Sequence, residues 1–169
     1  MRLLPFILVI FICFSSCKSS KIANNRNAVS VSTKPKAIKT KGSLVDNIVS
    51  HAQSFYGTKY RFGGTTKKGM DCSGLVHVAF KKENIILPRI SRDMAKQGKS
   101  IAKDNVQKGD LLFFKTSKNR KTINHVGLVV RSKRGEITFI HSTTSKGVIT
   151  STLSEPYWNS AFIEARKFL

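Results

Sequence analysis

Cys72 stands in the stretch Gly69-Met70-Asp71-Cys72-Ser73-Gly74-Leu75-Val76, between a carboxylate and a hydroxyl, with glycines on both sides and an apolar run beyond. This pattern places a thiol in the first turn of a helix. There the unpaired backbone N–H groups and the helix dipole favour thiolate over thiol. A thiolate is the nucleophilic form of cysteine, so the segment predicts a cysteine nucleophile. A lone cysteine in an apolar run would be a small buried hydrophobe. Asp71, Ser73 and the glycines weigh against that reading.

A cysteine nucleophile needs a base, and the base needs an orienting group. The chain has four histidines, His51, His77, His125 and His141. His125 opens an apolar stretch and His141 closes another, with Ser132-Lys133-Arg134-Gly135 as the turn between them. A hairpin symmetric about Lys133 sets His125 directly opposite His141, on one face, with Cβ atoms about 5 Å apart. One imidazole can then take the Cys72 proton while the other holds it in the right tautomer. A bulge would shift the pairing by one residue and put the two on opposite faces. His51 falls on the polar side of a helix. His77, five residues after Cys72, points away from the thiol, and both read as ordinary packed or solvated histidines.

The elements that must carry these groups follow from periodicity. Leu44, Val45, Ile48, Val49, Ala52 and Phe55 recur at helical spacing, with Ser43 as N-cap and Gly57 as stop. Tyr60-Arg61-Phe62-Gly63-Gly64 reads as a loop. A second helix is expected over 73–82, with Leu75, Val76, Ala79 and Phe80 as its apolar side. A short third is expected over 91–97, capped by Ser91 and stopped by Gly98. After the turn signal Gly109-Asp110, strands are expected over 111–114, 125–131, 136–141, 147–150 and 162–167. Helices first and antiparallel strands after them predict an α+β fold with a sheet of about five strands.

Length and charge bound the rest. The 169 residues suit one domain with tails, and the formal charge of +21 points to an anionic surface such as membrane, cell wall or nucleic acid. Seven Lys or Arg and no acidic residue lie in 18–42, whereas all nine acidic residues lie at or after Asp46. Met1-Arg2, an apolar run over 3–14 and the small residues Ser15-Ser16 precede Cys17. This is similar to a bacterial lipoprotein signal, with Phe14 where Leu is usual. It implies removal of residues 1–16 and lipidation of Cys17. An ordinary signal peptide is the second reading and a membrane anchor the third. Residues 17–42 then form a flexible basic tether, and 43–169 the folded domain. The tether lacks the interleaved aromatics of a nucleic-acid-binding tail, so no nucleic acid partner is expected. Cys13 falls within the leader and Cys72 is alone in the domain, so no internal disulfide forms.

Five blocks in order resemble the NlpC-type cell-wall cysteine peptidases. They are Tyr60-Arg61-Phe62-Gly63-Gly64, the run Met70 to Val76, Leu87-Pro88-Arg89-Ile90-Ser91, Lys108 to Phe114, and Asn124-His125-Val126-Gly127-Leu128. The resemblance covers roughly 44–169 and is nearest to the single-domain lipoprotein members. It implies a papain-like fold and hydrolysis of amide bonds in peptidoglycan stem peptides or cross-links, either D-Glu–diaminopimelate or D-Ala–diaminopimelate. Cys72 matches the nucleophile, His125 the general base and His141 the group that orients it. Tyr60, Asp71, Ser73, Arg89 and Ser91 match substrate-binding positions, Arg89 and Ser91 those that hold a D-glutamate carboxylate. Met94 departs from the family, which commonly has Gln there, and this predicts an altered groove wall. No metal or other cofactor is expected. The protein is expected to be a monomer in the cell envelope, lipid-anchored to a membrane and facing peptidoglycan. Two other readings are an amidase or acyltransferase on another acyl group, and a non-catalytic wall-binding lipoprotein. The presence of Cys72, His125, His141 and Tyr60 together argues against the last.

Overall fold

The computed structural model describes residues 40–117 and 122–169. The leader, Cys17 and most of the tether lie outside the described residues. Among the described residues, four α-helices flank an antiparallel sheet: α1 Lys41–Gln53, α2 Cys72–Lys81, α3 Ser91–Met94 and α4 Pro156–Ala161. The sheet has six strands: β3 Lys99–Ile101, β4 Leu111–Phe114, β5 His125–Lys133, β6 Glu136–Thr143, β7 Gly147–Thr152 and β8 Phe162–Lys167, in the order β3-β8-β4-β5-β6-β7. A two-residue hairpin, β1 Thr65–Thr66 with β2 Gly69–Met70, stands apart and leads into α2. The architecture is the expected α+β arrangement, with one edge strand more than the five expected.

β4 reads Leu-Leu-Phe-Phe because it is central and covered on both faces. Leu111, Phe113, Val126, Leu128, Ile140 and Val148 pack with Ile48, Val49 and Ala52 of α1 and Leu75, Val76, Ala79 and Phe80 of α2. Leu112, Phe114, Val129 and Phe139 form a second cluster with Trp158 and Ala161 of α4. Burial of each Val, Leu, Ile or Phe side chain among them stabilises the fold by about 1.5–3 kcal/mol. Met94 is wholly buried in the first cluster, so it is a core residue and not the groove wall expected of it.

Several boundaries differ from expectation. The N-cap of α1 is Thr40, whose hydroxyl accepts from Ser43 N at 3.4 Å. Ser43 lies inside the helix and donates its own hydroxyl to Thr40 O at 2.8 Å, so the two share the capping. The helix ends at Gln53, and Gly57 (φ +78°) closes the turn beyond it. α3 runs only four residues and has Ile90 as its N-cap, not Ser91.

The β5–β6 hairpin turns on Arg134-Gly135, both with positive φ, flanked by Lys133 paired with Glu136. This is the two-residue turn whose twist matches the strands. Between Arg131 and Val129 the register shifts by one at a bulge, so that Val129 faces Phe139 and Leu128 faces Ile140. The centre at Lys133 expected above is therefore wrong. Continued along the strands, the register sets His141 opposite Gly127, with His125 two residues further along the same face. The turn alone would have separated the histidines to opposite faces, and the bulge returns them to one.

Candidate active site

Asp71 is the N-cap of α2 and accepts from Gly74 N at 2.6 Å. Its carboxylate also accepts from Gly63 N at 2.8 Å and from Ser73 Oγ at 3.2 Å. Arg89 completes the set with a two-pronged contact, Nη1 to Oδ1 at 2.9 Å and Nη2 to Oδ2 at 2.6 Å. Burial raises the Asp71 pKa, but the hydrogen bonds from Arg89 and Gly74 outweigh it and the net shift is down. The carboxylate is thus a fixed anion that locks the first turn of α2. Cys72 is the first residue of that turn, and its own N–H has no intrahelical partner.

The thiol departs from expectation. Burial pushes the Cys72 pKa up, and the Asp71 charge adds to it. The N–H of Val126, together with those of Ser73 and Cys72, pulls the other way without prevailing. At rest the group is a thiol, not the thiolate that its helix position alone predicts.

His125 and His141 meet at 2.9 Å, His125 Nε2 to His141 Nδ1, with the rings perpendicular. Both are buried. Burial lowers the His125 pKa to about 4, and burial plus the neighbouring His125 lowers that of His141 to about 3. Both imidazoles are neutral near pH 7. The Nε2 contact leaves His125 Nδ1 as the nitrogen free for proton transfer. His125 also opens β5 beside Val126, whose N–H is directed at the Cys72 sulfur, and Cys72 and His125 line one cavity where α2 packs on the start of the strand.

Cys72 lies where two cavities join. One, of about 540 Å³, is lined by His125, Ser142, Thr143, Lys146, Glu155 and Trp158; the other, of about 430 Å³, by Asp71, Ser73, Arg89 and Ser91. Tyr60, Phe62, Cys72 and Asn124 line both. The Tyr60 hydroxyl pKa is raised by burial and by the nearby Cys72 and Asp71, so the group stays a neutral donor. All five residues matched to substrate binding line the smaller cavity, with Tyr60 at its junction with the larger one. Arg89 has a second engagement there: its fork already holds Asp71, and Nη1 also donates to Ser73 Oγ at 3.0 Å. Among the described residues no group of three His, Cys, Asp or Glu side chains is arranged to hold a metal. His51 pairs with Glu83 at 3.2 Å and His77 bonds Leu87 O at 2.8 Å, away from the cavities.

Three positions escape sequence reasoning. Ser142, buried on β6 beside His141, donates to Met70 O at 2.8 Å and so ties the histidine strand to the segment entering α2. Asn124, beside His125, clasps Thr116 through two hydrogen bonds of 2.9 Å. Trp158 stacks on His125 from α4, a helix whose only sequence signal is Pro156 at its first position.

A thiol at a helix N-terminus, sharing a cavity with one member of a buried histidine pair on a sheet, defines the papain-like class of cysteine-peptidase site. Residues 57–167 match the model of the NlpC/P60 family, and the chain belongs to that family. It is 32% identical over 175 residues to the murein DD-endopeptidase MepS/murein LD-carboxypeptidase of Escherichia coli K12, a match that covers 96% of this chain and 89% of that protein. It is 39% identical over 126 residues to the probable endopeptidase NlpC of the same organism, covering 74% of this chain and 79% of the other. Among solved structures, an NlpC/P60 family protein from Bacillus cereus superposes with a TM-score of 0.67 at 29% identity, over 74% of this chain and 40% of that one.

Proposed function

We propose that this protein is a peptidoglycan endopeptidase that cleaves stem-peptide or cross-link amide bonds with Cys72 as nucleophile, His125 as base and His141 as orienting group. The observation that carries the reading is the position of Cys72 at the junction of two cavities, which leaves room for peptide on both sides of a scissile bond. Of the two candidate bonds, D-Ala–diaminopimelate is favoured over D-Glu–diaminopimelate. The E. coli relative matched over nearly the whole chain is named a DD-endopeptidase, a term for cleavage between two D-configured centres.

The steps follow from the resting protonation states. The Cys72 thiol gives its proton to His125 Nδ1 as the sulfur attacks the carbonyl carbon. The Cys72 N–H and the Tyr60 hydroxyl donate to the oxyanion. His125 then passes the proton to the leaving amine, and the C–N bond breaks to a thioester. A water gives its proton to His125 as its oxygen attacks the thioester, and that proton returns to the departing sulfur. Arg89, Ser91 and Ser73 hold the acyl side of the substrate in the smaller cavity. Cys17, once lipidated, anchors the protein to a membrane of the cell envelope, and the basic tether holds the domain near anionic wall and headgroups.

The bond is tested with two synthetic substrates, a D-Ala–diaminopimelate cross-linked dimer and an L-Ala-γ-D-Glu-diaminopimelate tripeptide, with product masses as the readout. Cleavage of the dimer is expected. Cleavage of the tripeptide alone moves the assignment to the D-Glu bond, and cleavage of neither rejects the endopeptidase reading.

A further inference from the structure

Trp158 is the one α4 side chain with ring contacts to both histidines. Its ring stacks on His125 with centroids 5.2 Å apart and planes 24° apart. It stands perpendicular to His141, at 4.5 Å and 80°. Phe114 at 5.1 Å and Phe139 at 5.5 Å wedge it in place, and only 7% of it is exposed. The helix that carries it is itself pinned. Glu155 accepts from Thr152 N at 2.7 Å, and the Tyr157 hydroxyl donates to Thr116 O at 3.1 Å.

His141 Nε2 is buried and has no hydrogen-bond partner. The 2.9 Å contact between the rings can be made in two ways. If His125 Nε2 donates, His141 carries its hydrogen on Nε2 and His125 Nδ1 is a free base. If His141 Nδ1 donates, His125 carries its hydrogen on Nδ1 and cannot take one from Cys72. A water at His141 Nε2 could donate to it and stabilise the second, unproductive arrangement. Aromatic rings disfavour a bare lone pair and accept an N–H weakly, so a dry aromatic surrounding favours the first.

We propose that Trp158 is a positioning residue for the reaction: it clamps the His125–His141 pair at right angles, keeps water from His141 Nε2, and so fixes the tautomer in which His125 presents a free Nδ1. The inference rests on the proposed hydrolase reading and goes beyond it. The titratable groups facing His125 are His141 on β6 and Cys72 on α2, with Tyr60, Lys146, Glu155 and Tyr157 on the walls of the same cavity. Phe114 on β4 and Trp158 on α4 face it without charge.

The test compares wild type with Trp158→Phe and Trp158→Leu, with thermal melts, kcat and KM across pH, and long-range 15N correlation spectra of the wild-type imidazoles. Wild type is expected to show His125 and His141 both protonated at Nε2. Trp158→Leu is expected to lose about 100-fold in kcat with little change in KM. The acid limb of its kcat/KM profile moves up as His125 becomes hydrated, and Trp158→Phe keeps most of the activity. A wild-type spectrum with the hydrogen on His125 Nδ1 overturns the proposal, and it does so even if the Leu variant fails to fold. An unmoved acid limb, with a loss that only tracks the unfolded fraction, also overturns it. A wild type inactive on every peptide substrate instead rejects the hydrolase reading, and the spectrum still decides the tautomer.

Discussion

His125 Nε2 lies 2.9 Å from His141 Nδ1, and the two rings are perpendicular. The contact uses one nitrogen of each ring and gives the two histidines different work. Removing His125 removes the proton carrier itself, so His125→Ala is expected to lose about 10²–10⁴-fold in kcat. His141→Ala is expected to lose less, and His141→Asn, which can still accept from His125 Nε2, less again. Steady-state kinetics on a purified cross-linked peptide gives the ranking; equal losses for His141→Ala and His141→Asn would contradict the orienting role.

Burial of the two imidazoles also has a thermodynamic signature. Both are held below their ordinary value of 6.5, to about 4 and about 3. The unfolded chain binds protons at these groups before the folded one does. Their contribution to stability is therefore complete above pH 6.5 and falls as pH drops toward 4. Urea unfolding of wild type and of a His125→Phe/His141→Phe pair, run from pH 7 to pH 4, measures it. Wild type is expected to lose more stability than the variant over that interval, and parallel curves would refute the assignment of neutral buried imidazoles.

Asp71 joins the cap of α2 to Arg89. Asp71→Ala is expected to cost about 1–2 kcal/mol for the cap, and to leave Arg89 without its carboxylate. The sharper expectation is coupling. Arg89→Met in an Asp71→Ala background should cost less than it does alone, and a thermal-melt double-mutant cycle reads the difference. Additive losses would mean that the 2.6 and 2.9 Å contacts contribute nothing together.

Gly127 is a glycine for a steric reason: a Cβ there would run into the Phe139 ring, which packs against His141. Gly127→Ala is expected to destabilise the protein by about 1–3 kcal/mol and to lower kcat by disturbing the His141 ring. Wild-type stability and kcat in this variant would show that the ring has room to move.

The lipid anchor makes a separate prediction. Cys17→Ala should move the protein from the membrane pellet to the soluble fraction after cell breakage. Unchanged membrane fractionation would remove the anchor from the account.

The strong elements could be read because one residue type dominates each. α2 has Asp71 as cap and an apolar side that is wholly buried, and β4 is four apolar residues in a row. The histidine hairpin shows the limit of register arithmetic. A turn at Arg134-Gly135 moves the pairing by an odd number of residues and the bulge at Val130 moves it back by one, so direct opposition fails while the shared face survives. Neither the positive φ at Arg134 nor the bulge has a residue pattern that marks it. β3 is three exposed or half-exposed residues and α4 a single short helix, both too brief to show a period. Trp158 was thus invisible as a site residue, because its role comes from where α4 lands and not from its neighbours in sequence. The protonation state of the Cys72 thiol is hidden from the sequence for a related reason. Helix position is local, but the burial that dominates the Cys72 pKa comes from tertiary packing.

Cleavage of peptidoglycan amide bonds by Cys72 can be measured outright. The most direct measurement is release of muropeptides from diaminopimelate-type sacculi by wild type and by Cys72→Ala, resolved by mass, with both proteins confirmed as folded. Wild type is expected to shorten or uncouple the stem peptides, and Cys72→Ala to leave the sacculi unchanged. Identical products from the two proteins would contradict it.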